Sequence, residues 1–289
     1  MKVNNVTVRG YAKVNLGLDI VGKLENGYHL LKSIMQQIDL YDDITVTRIE
    51  SGIIIDSNSK DIPVDSSNLA YKAAKAVMDE CGIGEGVKIY IEKRIPMAAG
   101  MAGGSSDAAA VIKGMNELFN LQMSMTKMQE IGVKLGADIP FCIAGGACLC
   151  EGIGEQMKAL TGTPKMCIVV AKPPIGISTA YVYSHIKLDS LVHPDVDSLV
   201  KAYNEGDVHA IASGLGNVLE SVSEAENVII TVLKREMLEA GAMASLMSGS
   251  GPTVFGLFED MDAAAAAAQI LSDKHADVFV KACQLIQKA

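Results

Sequence analysis

Residues 87 to 118 constrain the fold more than any other stretch of the chain. Val87, Ile89 and Ile91 alternate with Lys88, Tyr90 and Glu92, the period-two pattern of a half-buried strand. Further on, Ala108, Val111, Ile112, Met115 and Leu118 recur at helical spacing. Between them lies a run of small residues: Pro96, Met97, Ala98, Ala99, Gly100, Met101, Ala102, Gly103, Gly104, Ser105 and Ser106. The glycines supply backbone without Cβ atoms. Ser105 and Ser106 are natural N-caps, so the spacing predicts a helix beginning near Asp107. Strand, small-residue loop and helix N-terminus bring unpaired N–H groups and the positive end of the helix dipole to one point, where a phosphate could sit. A plain, well-capped connection fits the same pattern.

Two familiar phosphate loops are excluded by spacing. A Walker loop closes on Gly-Lys-Ser/Thr, but the first lysine after Gly103-Gly104-Ser105 is Lys113, two turns into the helix. A dinucleotide fingerprint needs a glycine two residues after Gly100, where Ala102 stands.

The rest of the chain reads as a mixed α and β pattern. In 12–20, Val14, Leu16, Leu18 and Ile20 take one strand face and Lys13, Asn15 and Asp19 the other. Taken alone, Lys13 is a strand charge facing water. Asn26-Gly27 marks a reversal that delivers Tyr28-His29. Ile34–Ile38 and Ile44–Ile49 look like paired strands, and 53–55 like another. Ser66-Ser67-Asn68 caps a helix carrying Leu69, Ala73, Val77 and Cys81, ended by Gly82. A helix is expected near 125–135. Asp138 follows, two residues before Pro140 and among apolar neighbours, so it either caps the turn or is functional. Short strands are expected at 145–152 and 166–171. Helices follow at 179–186, 196–204, 209–220 and 225–239, then strand, turn and strand over 244–258, a helix near 262–273 and a strand at 278–280. The turn, Ser248-Gly249-Ser250-Gly251-Pro252-Thr253, is richer in glycine than a hairpin requires, and its backbone could approach a ligand closely.

Length and charge narrow the class. At 289 residues the chain suits one large domain or two modest ones of roughly 100–200 residues, and the change of pattern near Lys165 places a boundary near 160: domains 1–160 and 161–289. The net charge of -9 argues against nucleic-acid binding, and an anionic ligand would have to be held by local donors. The six cysteines form no C-x-x-C pair and fall mostly in apolar runs, as expected of reduced thiols in a cytoplasmic protein. No window reaches the ~20 apolar residues of a membrane span, and the first residues show no signal-peptide pattern.

Three separated segments, Lys13-Val14-Asn15, the Pro96–Asp107 loop and Ser248–Thr253, resemble in order the three motifs of the GHMP small-molecule kinases. Asn26–His29, Leu135–Phe141 and Gly152–Glu155 resemble the branch of that family whose acceptor carries a cytidine diphosphate. The resemblance covers almost the whole chain. It implies an α+β fold in which an N-terminal ribosomal-protein-S5-like α/β domain with a left-handed crossover packs on a C-terminal ferredoxin-like domain. It also implies ATP-dependent phosphorylation of the 2-hydroxyl of 4-diphosphocytidyl-2-C-methyl-D-erythritol, with Mg2+ expected but no side chain assigned to it. The partner is then a small molecule, with no nucleic acid or membrane, and the chain is a monomer or homodimer.

Carried over residue by residue, the resemblance gives Pro96–Ser106 and Gly249, Ser250 and Gly251 to the nucleotide. It gives Asp138 the proton of the attacking hydroxyl and Lys13 the charge beside it. Asn15 and Thr179 would touch polar groups of the acceptor. Tyr28 and Tyr183 would stack on cytosine, and His29 would read its edge. Ala98, Ala99 and Ala102 stand where glycine is common in the family, Met101 where leucine is usual, and Tyr183 where the aromatic is often phenylalanine. Alanine keeps its N–H, so phosphate binding should survive with a narrower range of loop conformations. Acceptors such as mevalonate, homoserine or a sugar offer no base to stack, and a non-catalytic binder would need neither Lys13 nor Asp138.

Overall fold

A computed structural model describes residues 4–25, 27, 29–188 and 191–287. The described residues form two compact units. One takes up Met1–Ala12, Leu40–Met97 and Ala102–Ala144; the other takes up Lys13–Asp39, Ala98–Met101 and Gly145–Ala289.

In the first unit, β2 (His29–Ile49) contributes its second half, β4 (Gly86–Glu92) pairs antiparallel with it from Asp43 to Ile49, and β3 (Ile53–Ser57) lies parallel to β4. Ile34–Ile38 and Ile44–Ile49 are therefore one long strand and not a pair. Between them, Asp42 is buried and accepts the N–H groups of Arg94 and Ile95. Helices α1 (Leu69–Cys81), α2 (Gly103–Leu118), α3 (Met125–Val133) and α4 (Ile139–Ala144) complete the unit. Asn68 caps α1 through Ala70 N, and Gly82 ends it in the left-handed conformation, as the sequence predicts. A Cβ on Gly114 would lie 3.1 Å from Val46 Cγ2, so its absence lets α2 sit close on β2.

In the second unit, the later half of β1 (Asn5–Lys23) pairs in parallel with β8 (Gly216–Asn217). The first half of β2 pairs with β5 (Ala147–Gly152), which also pairs with β6 (Gln156–Ala159). A separate four-stranded antiparallel sheet has the order β11 (Phe279–Gln284), β7 (Cys167–Lys172), β10 (Val254–Phe258), β9 (Ala244–Met247). With α9 (Val228–Glu239) between β7 and β9, and α10 (Met261–Lys274) between β10 and β11, this is the expected ferredoxin-like arrangement. Its core buries Val169, Ile230, Leu233, Met237, Phe258 and Leu271. Between β7 and α9 come α5 (Thr179–His185), α6 (Val196–Glu205), α7 (Val208–Gly214) and α8 (Glu220–Glu226). The helix expected over 209–220 is thus broken: Gly216 and Asn217 leave it to pair with Gly17 and Leu18 of β1. Among the described residues no helix is long and apolar enough to cross a membrane.

Candidate active site

Helix α2 begins at Gly103, four residues earlier than the serines suggest. Its cap is Ala102, in the left-handed conformation (φ 57°), and no side chain caps the helix. The first turn carries no acidic residue. By helix geometry the N–H groups of Gly103, Gly104 and Ser105 have no intrahelical acceptor, which is the arrangement that attracts an anion. Ser106 is already inside the helix. Its N–H donates to Ala102 O at 2.8 Å, and its buried hydroxyl donates to Tyr11 O at 2.6 Å, so it anchors the turn.

The three alanines of the loop differ. Ala98 (φ 48°) and Ala102 (φ 57°) hold the left-handed conformation that favours glycine, whereas Ala99 does not, and its methyl is buried. Gly100 is left-handed at φ 70°, and a Cβ there would run into Ser248 O.

Lys13 is not a solvated strand charge: it is 4% exposed. Its Nζ donates to Asn15 Oδ1 at 2.6 Å, Asn15 Nδ2 donates to Ser33 Oγ at 2.9 Å, and Ser33 Oγ donates to Gly17 O at 2.6 Å. Such a chain fixes both the ammonium and the amide, because each donor is matched to an acceptor in a dry setting. The backbone N–H of Lys13 donates to Met101 O at 3.2 Å, so this chain is joined to the small-residue loop.

The second glycine turn meets the same loop. Ser248 Oγ donates to Gly100 O at 3.0 Å, and a Cβ on Gly249 would lie 3.1 Å from Gly100 O and 3.5 Å from Asn15 Oδ1. Asn217 Nδ2 donates to both Met247 O and Gly249 O at 2.8 Å, and Ser223 Oγ donates to Ser250 O at 3.1 Å. Asn217 and Ser223 were not legible as site residues in the sequence, where they look like ordinary polar residues of a helical stretch. Thr179, at the start of α5, shares a 2.8 Å hydrogen bond with Ser250 Oγ.

The rings of His29 and Tyr183 lie 5.3 Å apart, centroid to centroid, at 33°. Partial burial, with a smaller contribution from Lys23, holds the His29 imidazole below its usual value, which favours the neutral ring. Tyr28 lies outside the described residues. Asp138 belongs to the first unit, one residue before α4, where its backbone carbonyl accepts from Cys142 N at 3.0 Å. Pro96, Met97 and Gly103–Ser106 share that unit. Lys13, Asn15, His29, Ala98–Met101, Thr179, Tyr183 and the 248–253 turn lie in the second.

The family models described as "GHMP kinases N terminal domain" and "GHMP kinases C terminal" match residues 68–146 and 199–277. A 4-diphosphocytidyl-2-C-methyl-D-erythritol kinase of Clostridium beijerinckii is 47% identical over 274 residues, covering 94% of this chain and 98% of the relative. The chain belongs to the GHMP kinase family. A relative of the same name from Alkaliphilus metalliredigens is 45% identical, covering 99% of this chain and 97% of its own. Among solved structures this GHMP kinase is similar to a 4-(cytidine 5'-diphospho)-2C-methyl-D-erythritol kinase, at 31% identity and a TM-score of 0.81 over 96% of this chain and 99% of the other. A homoserine kinase from Cytophaga hutchinsonii reaches 0.83 over 100% and 97%, but at 17% identity, so it shows the shared GHMP fold and nothing of the acceptor.

Proposed function

We propose that this GHMP kinase transfers the γ-phosphoryl group of ATP to the 2-hydroxyl of 4-diphosphocytidyl-2-C-methyl-D-erythritol, a step of non-mevalonate isoprenoid precursor biosynthesis in the cytoplasm. The observation that carries the acceptor is the 45–47% identity, across nearly the whole chain, to enzymes of that name. Fold similarity alone does not choose it, because a homoserine kinase superposes equally well. The His29–Tyr183 pair supports the choice: a flat base stacks on an aromatic face, and a neutral imidazole can both donate and accept at its edge.

Phosphoryl transfer depends mainly on positioning and on charge placed where the transition state needs it. The roles proposed for this chain follow that rule. Gly103, Gly104 and Ser105 N–H groups hold phosphate oxygens at the uncapped end of α2. Gly249, Ser250 and Gly251 bind nucleotide through their backbone. Lys13, oriented by Asn15, offsets negative charge on the transferring group. Asp138 orients the acceptor hydroxyl and takes its proton, and Asn15, Thr179, Tyr28, His29 and Tyr183 bind the acceptor.

Among the described residues no three His, Cys, Asp or Glu side chains are grouped to hold a metal. Magnesium, expected with the nucleotide, would be held largely by phosphate oxygens and water, with no side chain assigned to it.

Incubation with ATP and the diphosphocytidyl alcohol, followed by phosphorus NMR, tests the reading. A new phosphomonoester on the 2-hydroxyl is the expected product. ATP consumption without it would overturn the assignment.

A further inference from the structure

Beneath the first turn of α2 lies a buried charge cluster that the kinase reaction does not use directly. Lys93 Nζ donates to Asp42 Oδ2 at 2.6 Å and to Asp107 Oδ2 at 2.7 Å. The three side chains are 4%, 0% and 5% exposed. A Cβ on Gly103, the first residue of α2, would lie 3.2 Å from that same Nζ, so the ammonium sits directly under the helix N-terminus. Asp107 is one turn further on, about 6 Å along the axis.

The two carboxyls are not equivalent. Asp42 Oδ1 accepts from the N–H groups of Arg94 and Ile95, and Oδ2 accepts from Lys93, so both of its oxygens are satisfied. Asp107 accepts only through Oδ2, and its buried Oδ1 has no partner. An unpartnered oxygen costs far less on a neutral acid than on a carboxylate. Two carboxylates against one ammonium would also leave a net negative charge in a dry site. Burial, resisted by Lys93 and reinforced by Asp42, pushes the Asp107 carboxyl up to about 7. The helices packed on α2 bury apolar residues: α1 buries Ala70, Ala73, Ala74 and Val77, α3 buries Met128 and Ile131, and α4 buries Ile139, Phe141 and Ile143. Also near this turn are the Cys142 thiol, 3.4 Å from Ser106 Oγ, and Lys113, whose Nζ donates to Cys142 O at 3.2 Å.

We propose that Lys93, Asp42 and Asp107 are positioning residues beneath the phosphate loop, and that binding of nucleotide phosphate at the α2 N-terminus is coupled to uptake of a proton by Asp107. The proton comes from solvent and neutralises the Asp107 carboxylate. The incoming phosphate favours it because a second negative charge nearby makes the ionised carboxyl costlier. Lys93 is then left with one counter-charge, and its positive charge acts toward the helix terminus. This rests on the assignment of the nucleotide to that terminus.

Calorimetric titration of the whole protein with MgADP at pH 7, in buffers of different ionisation enthalpy, reads the coupling directly. Excess Mg2+ keeps the nucleotide phosphates ionised, so protons gained belong to the protein. Uptake of roughly half a proton per nucleotide is expected in the wild type, and its loss in Asp107→Asn. Equal uptake in both proteins, or none in the wild type despite binding, overturns the proposal. No binding of MgADP at all overturns the nucleotide assignment and the coupling with it. Should Asp107→Asn fail to fold, infrared difference spectra of the wild type decide: a carboxylic-acid carbonyl band that grows on addition of MgADP is expected, and an unchanged band contradicts the coupling.

Discussion

Ser248 Oγ donates to the carbonyl oxygen of Gly100 at 3.0 Å, tying together two small-residue loops that are 148 residues apart in sequence. The contact needs glycine at position 100 twice over, for its left-handed φ of 70° and for the space that Ser248 O would otherwise contest. Gly100→Ala is therefore expected to destabilise the protein by about 1–3 kcal/mol and to raise the KM for ATP at least tenfold. Chemical denaturation and steady-state kinetics check this; a variant with wild-type values would mean the loops need not meet.

The alanines of the loop are separable. Ala98 and Ala102 carry left-handed backbone, so Ala98→Gly and Ala102→Gly should be neutral or stabilising, by up to about 1 kcal/mol. Ala99→Gly removes a buried methyl and should cost about 1 kcal/mol. Thermal unfolding of the three variants side by side tests the difference in sign.

Asp138→Asn is expected to lower turnover by ~10² or more, the loss typical of a residue acting on the reacting hydroxyl, with nucleotide affinity nearly unchanged. Unchanged turnover would remove Asp138 from the chemistry. Equal losses in turnover and nucleotide affinity would make its role structural.

Asp107 also gives the fold a pH dependence of defined sign. Its folded value, about 7, lies above the ordinary 3.8, so the folded state holds the proton more tightly. Its stabilising contribution is complete below about pH 4 and is lost as pH rises to about 7. The stability of the wild type relative to Asp107→Asn should fall across that window, by up to about 4 kcal/mol. Urea unfolding at a series of pH values measures it, and a flat difference contradicts the assignment.

What could be read from the sequence depended on range. Local signals held: Asn68 and Gly82 bound α1 as their types dictate, and the β9–β10 hairpin stands where its glycine turn placed it. Non-local burial overrode local pattern elsewhere. Asp42 drew no notice in sequence, because its donors, the N–H groups of Arg94 and Ile95, come from some fifty positions on. Lys13 looks solvated until Asn15 and Ser33 enclose it. Helix α2 starts at Gly103 because Ala102 can turn the chain left-handed, whereas capping preference pointed to the serines. Asn217 escaped notice for the same kind of reason, since the carbonyls it holds belong to residues 30 and 32 positions away.

The acceptor is the central claim, and ADP release with a panel of alcohols tests it most directly. With ATP and Mg2+ present, 4-diphosphocytidyl-2-C-methyl-D-erythritol should turn over with a kcat/KM at least ~10³ above mevalonate, homoserine and galactose, because only it offers a base to the His29–Tyr183 pair. Comparable or faster turnover of any of the other three would contradict the account.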